Sequence, residues 1–306
     1  MKPKHVIFVF AAVAAAGTLA ASAAATYPGS HNGRIAFGMR IGTANPDIYS
    51  ALPNGHALRR LTSDPAFDAC AAYSPDGKEI AFCSNRSGDF EIWTMTQNGD
   101  EQTQLTNLKA SATFPDFSPD GSKVAFDASG VNGDPNDDLY VVNSDGGGLS
   151  KLTSNAGNND YPVWSPDGSK IAFVSDRSGF EQVYTMNAAD GSNQTQLTFD
   201  SANHDQLPDW SPDGSEIAYE DDGYGNGDIM VMNSDGSNQR DVSNNPGQEF
   251  GAAWSPDGSQ IAYLSFGSGP RLVYVMSADG TNQHPLTGGQ DAQFAPGWQP
   301  NGDRNG

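Results

Sequence analysis

Carboxylates recur in this sequence at one fixed distance from a repeated tetrapeptide. Ser-Pro-Asp-Gly begins at Ser74, Ser118, Ser165, Ser211 and Ser255, and a degenerate last copy begins at Gln299. The residues six positions ahead of these starts are Asp68, Ala112, Asn159, Asp205, Glu249 and Gln293. Repeats that fold alike turn equal offsets into equal positions, which brings three carboxylates towards one axis. Such charges repel unless a cation or a basic partner offsets them, and carboxylate oxygens are ligands that suit Ca²⁺. Asp68, Asp205 and Glu249 are therefore the candidate metal set. Asp68, Asn159, Asp160, Asp205, Glu249 and Gln293 form the candidate binding ring, with a merely hydrated acidic rim as the bland alternative.

Catalytic signatures are sparse. The chain has no Gly-x-Ser-x-Gly elbow, no His-Glu-x-x-His and no cysteine–histidine metal set. His31, His56 and His284 sit at or beside tight turns, whereas His204 lies in a longer loop. His204 with Asp205, Asp160 or Tyr161 is the one group with catalytic residue types together, and it would serve a carbohydrate-active or metal-assisted enzyme. The stretch Glu220, Asp221, Asp222, Asn226, Asp228 is rich in oxygen ligands but lacks the spacing of an EF-hand.

The elements that must position these residues follow from the repeat. With Ser30-His31-Asn32-Gly33 as a degenerate first copy, successive starts are 44, 44, 47, 46, 44 and 44 residues apart, a period of propeller blades or helical repeats. The segments decide between them. "EIAFC", "KVAFD", "KIAFV" and "EIAYE" follow the turns and are too short and too rich in β-branched and aromatic residues for helices. A second run such as "QVYTMN" precedes Asn-Gly or Asp-Gly, a hairpin signal, and a third ends in Leu-Thr or Val-Ser. The fourth strand is the stretch before each turn, as in "YPVW". Ser-Pro-Asp-Gly itself fits a type I turn, which accounts for its aspartates without catalysis.

Ile171 and Phe173 point one way and Ala172 and Val174 the other, so the sheets are buried on both faces. Four-stranded antiparallel sheets repeated radially make a propeller. Tyr73, Phe117, Trp164, Trp210, Trp254 and Trp298 should fill the same gap between blades six times. The segment 30–62 supplies a turn and three strands, and 292–299 the missing strand. We therefore expect an all-β fold: a six-bladed β-propeller over 30–300, closed by the C-terminal strand completing the N-terminal blade.

Lys2 and Lys4 precede an apolar run and the small residues Ala20 to Ala25, so residues 1–25 read as a secretory signal peptide. No later segment is apolar enough to span a bilayer, and the expectation is an exported monomer with no membrane anchor. The net charge of −21 excludes nucleic acid as a partner. It favours a basic protein surface or a metal ion. With a four-residue turn at Ser74 to Gly77, Cys70 lies opposite Cys83, and export permits a disulfide. A one-residue change of register would separate the pair.

The segment "WSPDGSKIAFVSDRSGFEQVYTMNAADGSNQTQLT", residues 164–198, resembles the propeller repeat of the TolB-like family of exported proteins. The resemblance covers nearly all of the chain after the signal peptide and implies a non-enzymatic scaffold in the periplasm or cell envelope that binds a protein or peptide. TolB itself carries an α/β domain ahead of its propeller, so the expectation here is the role of the wider family. The tight turns share one face, which leaves the longer acidic loops for binding on the other.

Overall fold

Each Ser-Pro-Asp-Gly copy closes its turn by the same contacts. Ser165 Oγ donates to Asp167 Oδ1 at 2.7 Å and accepts the Lys170 N–H at 2.9 Å, while the Gly168 N–H donates to Ser165 O at 2.8 Å. Gly168 has φ +71°, a conformation free of steric cost only for glycine. Ser74, Ser118, Ser211 and Ser255 repeat the arrangement. The aspartates of these turns are structural.

The computed structural model describes residues 31–154, 157–201, 203–222, 227–266, 270–288 and 293–300, with backbone alone for 293–295. Residues 1–25, read from the sequence as a signal peptide, lie outside the described residues. Six four-stranded antiparallel sheets form the fold. Blade 1 joins the strand Gln293–Trp298 to Ile35–Met39, Asp47–Ala51 and Arg59–Arg60. Blades 2 to 6 begin with the inner strands Asp68–Tyr73, Ser111–Phe117, Asn159–Trp164, Asp205–Trp210 and Gln248–Trp254. Neighbouring inner strands touch in an unbroken cycle, in which Gln293–Trp298 contacts both Gln248–Trp254 and Asp68–Tyr73. The ring is closed as the sequence leads one to expect. Ile35 pairs with Trp298 and Met39 with Gln293. Trp298 Nε1 donates to Ala253 O at 3.0 Å, and Gln299 Nε2 to Gly77 O at 2.9 Å.

Apolar packing repeats at every junction. Trp164 lies with Ala125, Leu139 and Val141 of blade 3, and Trp254 with Ala218, Ile229 and Val231 of blade 5. Tyr73, Phe117, Trp210 and Trp298 occupy the same place at the other four junctions. The Leu-Thr ends have a cause too. Thr62, Thr106, Thr153, Thr198 and Ser243 each accept the N–H that opens the neighbouring third strand, from Ile48, Ile92, Leu139, Val183 and Ile229. This satisfies a buried donor.

Every described inner strand of blades 2 to 6 carries a bulge. Cys70, Phe114, Tyr161, Leu207 and Gly251, all four residues before a turn, have φ of +57°, +50°, +55°, +52° and +66°. The bulge offsets the ladder by one residue, so Ala69, not Cys70, faces Cys83. The left-handed backbone at Cys70 nevertheless turns its side chain towards Cys83, with Cα atoms 5.5 Å apart and the sulfurs joined. The pair spans 13 residues. A cross-link over such a loop contributes about 3 kcal/mol through the unfolded chain. The variant Cys70→Ala/Cys83→Ala should lose that much in urea titration, and an unchanged midpoint would show that the bond does not constrain the chain.

Candidate functional site at the loop face

A bulge inserts one residue and rotates those beside it. Here it carries the left-handed residues of different blades together at the axis. The Phe114 and Tyr161 rings meet edge to face with centroids 4.6 Å apart. Tyr161 packs against the apolar cluster that holds Cys70 and Phe114 and also against the one that holds Leu207 and Phe250. These side chains make an apolar floor across the ring.

Polar groups gather on the loop side of that floor. Thr113 Oγ1 donates to Asp127 Oδ2 at 2.5 Å, and the Tyr161 N–H donates to Asp127 Oδ1 at 3.3 Å from the next blade. Glu181, in the loop between the second and third strands of blade 4, accepts a hydrogen bond from Gln206 Nε2 and pairs with His204 Nδ1 at 2.9 Å. Gln206 stands opposite Glu220 in the ladder. Burial, then the neighbouring Asp127 and Asp137, pushes the Asp160 carboxyl well above the usual carboxylate range. Burial, then Asp222 and Glu181, does the same to Glu220. Burial followed by Asp137 raises Asp127. The hydrogen bond to Glu181 raises His204. The result is a recess with an aromatic floor and carboxyl walls from blades 3, 4 and 5, whose burial and mutual repulsion favour their neutral forms until an opposite charge offsets them.

Of the expected site residues, Asp160, Tyr161 and His204 take part in this recess. The ring six residues before the turns is turned elsewhere. Asp68 is fully buried, bound by Arg86 at 2.8 Å. Asn159 accepts from Ser175 Oγ at 3.0 Å and from Arg177, and its amide reaches Asp138 of blade 3. Asp205 is buried beside Thr198 and Asp200 of blade 4. Glu249 is buried beside Ser265, near Asp228 of blade 5. Each thus faces the gap towards the preceding blade. The structure does not gather Asp68, Asp205 and Glu249, and among the described residues no three His, Cys, Asp or Glu side chains come together as a metal set. The Gln293 side chain and Asn226 lie outside the described residues. His204 is oriented by Glu181 and not by Asp205.

Sequence reasoning missed Asp127, Glu181 and Gln206 and read Glu220 only as part of an acidic loop. A signal existed: Asp127 and Glu220 occupy the position that holds Cys83, Val174 and Leu264 in other blades, so each places an acid in an otherwise apolar strand.

Burial raises the Glu249 carboxyl from its ordinary 4.5 to about 7. Between those values the folded chain holds a proton that the unfolded chain has released, so stability falls as pH rises through that window. Glu249→Gln should remove this slope and gain on the order of 2 kcal/mol relative to the parent at pH 8. Urea melts at pH 5 and pH 8 check it, and parallel slopes in parent and variant would refute it.

A family model described as the TolB β-propeller domain matches residues 100–219 and 201–305. Among solved structures, TolB from Acinetobacter baumannii superposes with a TM-score of 0.76 at 25% identity, over 89% of this chain and 68% of that one. A putative TolB from Agrobacterium tumefaciens gives 0.70 at 22% identity, over 87% and 91%. A chain of a nidogen/laminin complex gives 0.71 at 12% identity, over 88% and 99%, a likeness of fold alone.

Proposed function

Since the chain belongs to the TolB β-propeller domain family, we propose that it is an exported, non-enzymatic scaffold of the periplasm or cell envelope. Its loop face binds a protein or peptide partner through a basic side chain. The observation that carries this reading is the recess of Asp127, Asp160, Glu181 and Glu220 around Tyr161. An ammonium or guanidinium entering it would return these carboxyls to their charged form and lie near the Tyr161 ring. Phe199, Phe266 and Ile41 stand exposed on the same face, at 74%, 46% and 55%, and supply apolar contacts around the rim. No helix among the described residues is long and apolar enough to cross a membrane.

The test is affinity capture from an envelope extract with the parent and an Asp160→Asn/Glu181→Gln/Glu220→Gln variant, read by mass spectrometry. A protein held by the parent and lost by the variant is expected. Identical captures would sink the reading. Ca²⁺ enters as a competitor for the same oxygens, and calorimetry with millimolar metal measures it. The His204–Glu181 pair at 2.9 Å favours a second reading, a carbohydrate-active site at the same recess. Turnover of acidic polysaccharides that disappears in His204→Ala would replace the first reading with the second.

A further inference from the structure

Two equivalent positions in blades 1 and 5 hold opposite charge patterns. In blade 5, Glu216 opens the second strand, Arg240 opens the outer strand, and they form an ion pair at 2.8 Å. In blade 1 these positions are Arg34 and Arg59. Ile35 pairs with Trp298 as Ile217 pairs with Trp210, and Arg59 pairs with Ser50 as Arg240 pairs with Val231. The corresponding residues elsewhere are Glu79 and Thr103, Lys123 and Ser150, Lys170 and Thr195, and Gln260 and His284. Blade 1 alone sets two guanidiniums side by side.

Arg34 is held in place. Its Nε donates to Ser50 Oγ at 2.9 Å, and its Nη2 donates to Ser50 O at 2.9 Å and to Ala57 O. Arg59 is exposed beside it, and among the described residues neither arginine has a carboxylate partner. Burial and then the Arg59 charge lower the Arg34 pKa. In a chain with 37 acidic residues against 16 basic ones, this pair lacks the carboxylate that blade 5 supplies from within.

We propose that Arg34 and Arg59 form an anion-binding site on the outer rim of blade 1, which takes a glutamate or aspartate carboxylate from an acidic segment of a partner protein. Blade 5 shows that a guanidinium at the Arg59 position reaches a carboxylate at this depth. Arg34, its Nε and Nη2 held by Ser50 and Ala57, keeps the Nη1 amino group as a donor beside Arg59. Leu58, 47% exposed, adds an apolar contact next to the charges. The site lies at the turn end of the blade, so it is separate from the loop-face recess and does not depend on it.

The test uses a short fluorescent oligoglutamate peptide at physiological ionic strength, where screening over about 8 Å limits repulsion by the net negative charge. Saturable anisotropy is expected with the parent. Binding should weaken at least about tenfold in Arg59→Gln and in Arg34→Glu, the loss of a charge-assisted hydrogen bond. Arg34→Glu recreates the blade 5 ion pair, so it should keep its melting temperature while losing the peptide, and Asp160→Asn should bind as the parent does. Absence of binding by the parent at millimolar peptide overturns the proposal, as does undiminished binding by Arg34→Glu. Inorganic phosphate that displaces the peptide at equal concentration overturns the assignment to an acidic segment.

Discussion

A chain cut before Gln293 should lose its cooperative unfolding transition. The cut removes the inner strand of blade 1, leaves Ile35–Met39 without one of its two ladders, and empties the junction filled by Trp298. It also breaks the bonds from Trp298 Nε1 to Ala253 and from Gln299 Nε2 to Gly77. Loss of a buried tryptophan alone costs about 3–5 kcal/mol, and a domain has only about 5–15 kcal/mol in all. Circular dichroism against temperature reads the outcome. Placing residues 293–300 on a linker ahead of residue 31 should restore the transition, because the strand then reaches the same ladder. A truncated monomer that melts as the parent does would show that the cycle contributes nothing to stability.

Trp164→Ala should destabilise the protein by about 3–5 kcal/mol, the largest effect expected of a single side chain here. Trp164 is 5% exposed and lies in one apolar cluster with Leu139, Val141 and Tyr184, while its backbone N–H donates to Asp116 Oδ2 at 2.8 Å. The substitution leaves that bond intact and opens a cavity between two blades. Trp164→Phe should lose less, since Phe117 serves the equivalent junction. Urea titration of both variants is the check, and a loss below about 1 kcal/mol would mean that the blades close over the gap.

The fold was legible because its determinants are local and repeated. Serine, proline and glycine each have a fixed task in the turn, and "KIAF" or "EIAY" can only be a short buried strand. The recess was less legible, and the reason lies in one backbone feature. Counting six residues back assumes an unbroken strand, but the left-handed residues at Cys70, Phe114, Tyr161 and Leu207 shift the register. Only Gly251 at the same place hints at positive φ, since the other four are residue types that rarely adopt it. The side chains six residues ahead of the turns that the structure describes accordingly went into the gaps, and Asp160 and Tyr161, which follow one of them, took the axis. The Arg34 and Arg59 pair escaped for another reason: it joins residues on different strands, and only the ladder makes them neighbours.

The hydroxyl-capped turns have a consequence for the molecule as a charged object. The hydroxyl of Ser118, and likewise that of Ser165, followed by nearby N–H groups, holds Asp120 and Asp167 below the usual carboxylate range. Ser192, Ser237 and Thr281 do the same for Asp190, Asp235 and Asp279. On the opposite side, burial raises Asp160, Asp205, Glu220 and Glu249. Mild acidification therefore reaches Asp205 and Glu249 before it reaches the turn-side aspartates. The hydroxyl-held aspartates of the underside thus keep their charge under conditions that titrate Asp205 and Glu249 above, and the two sides of the disc answer acid differently.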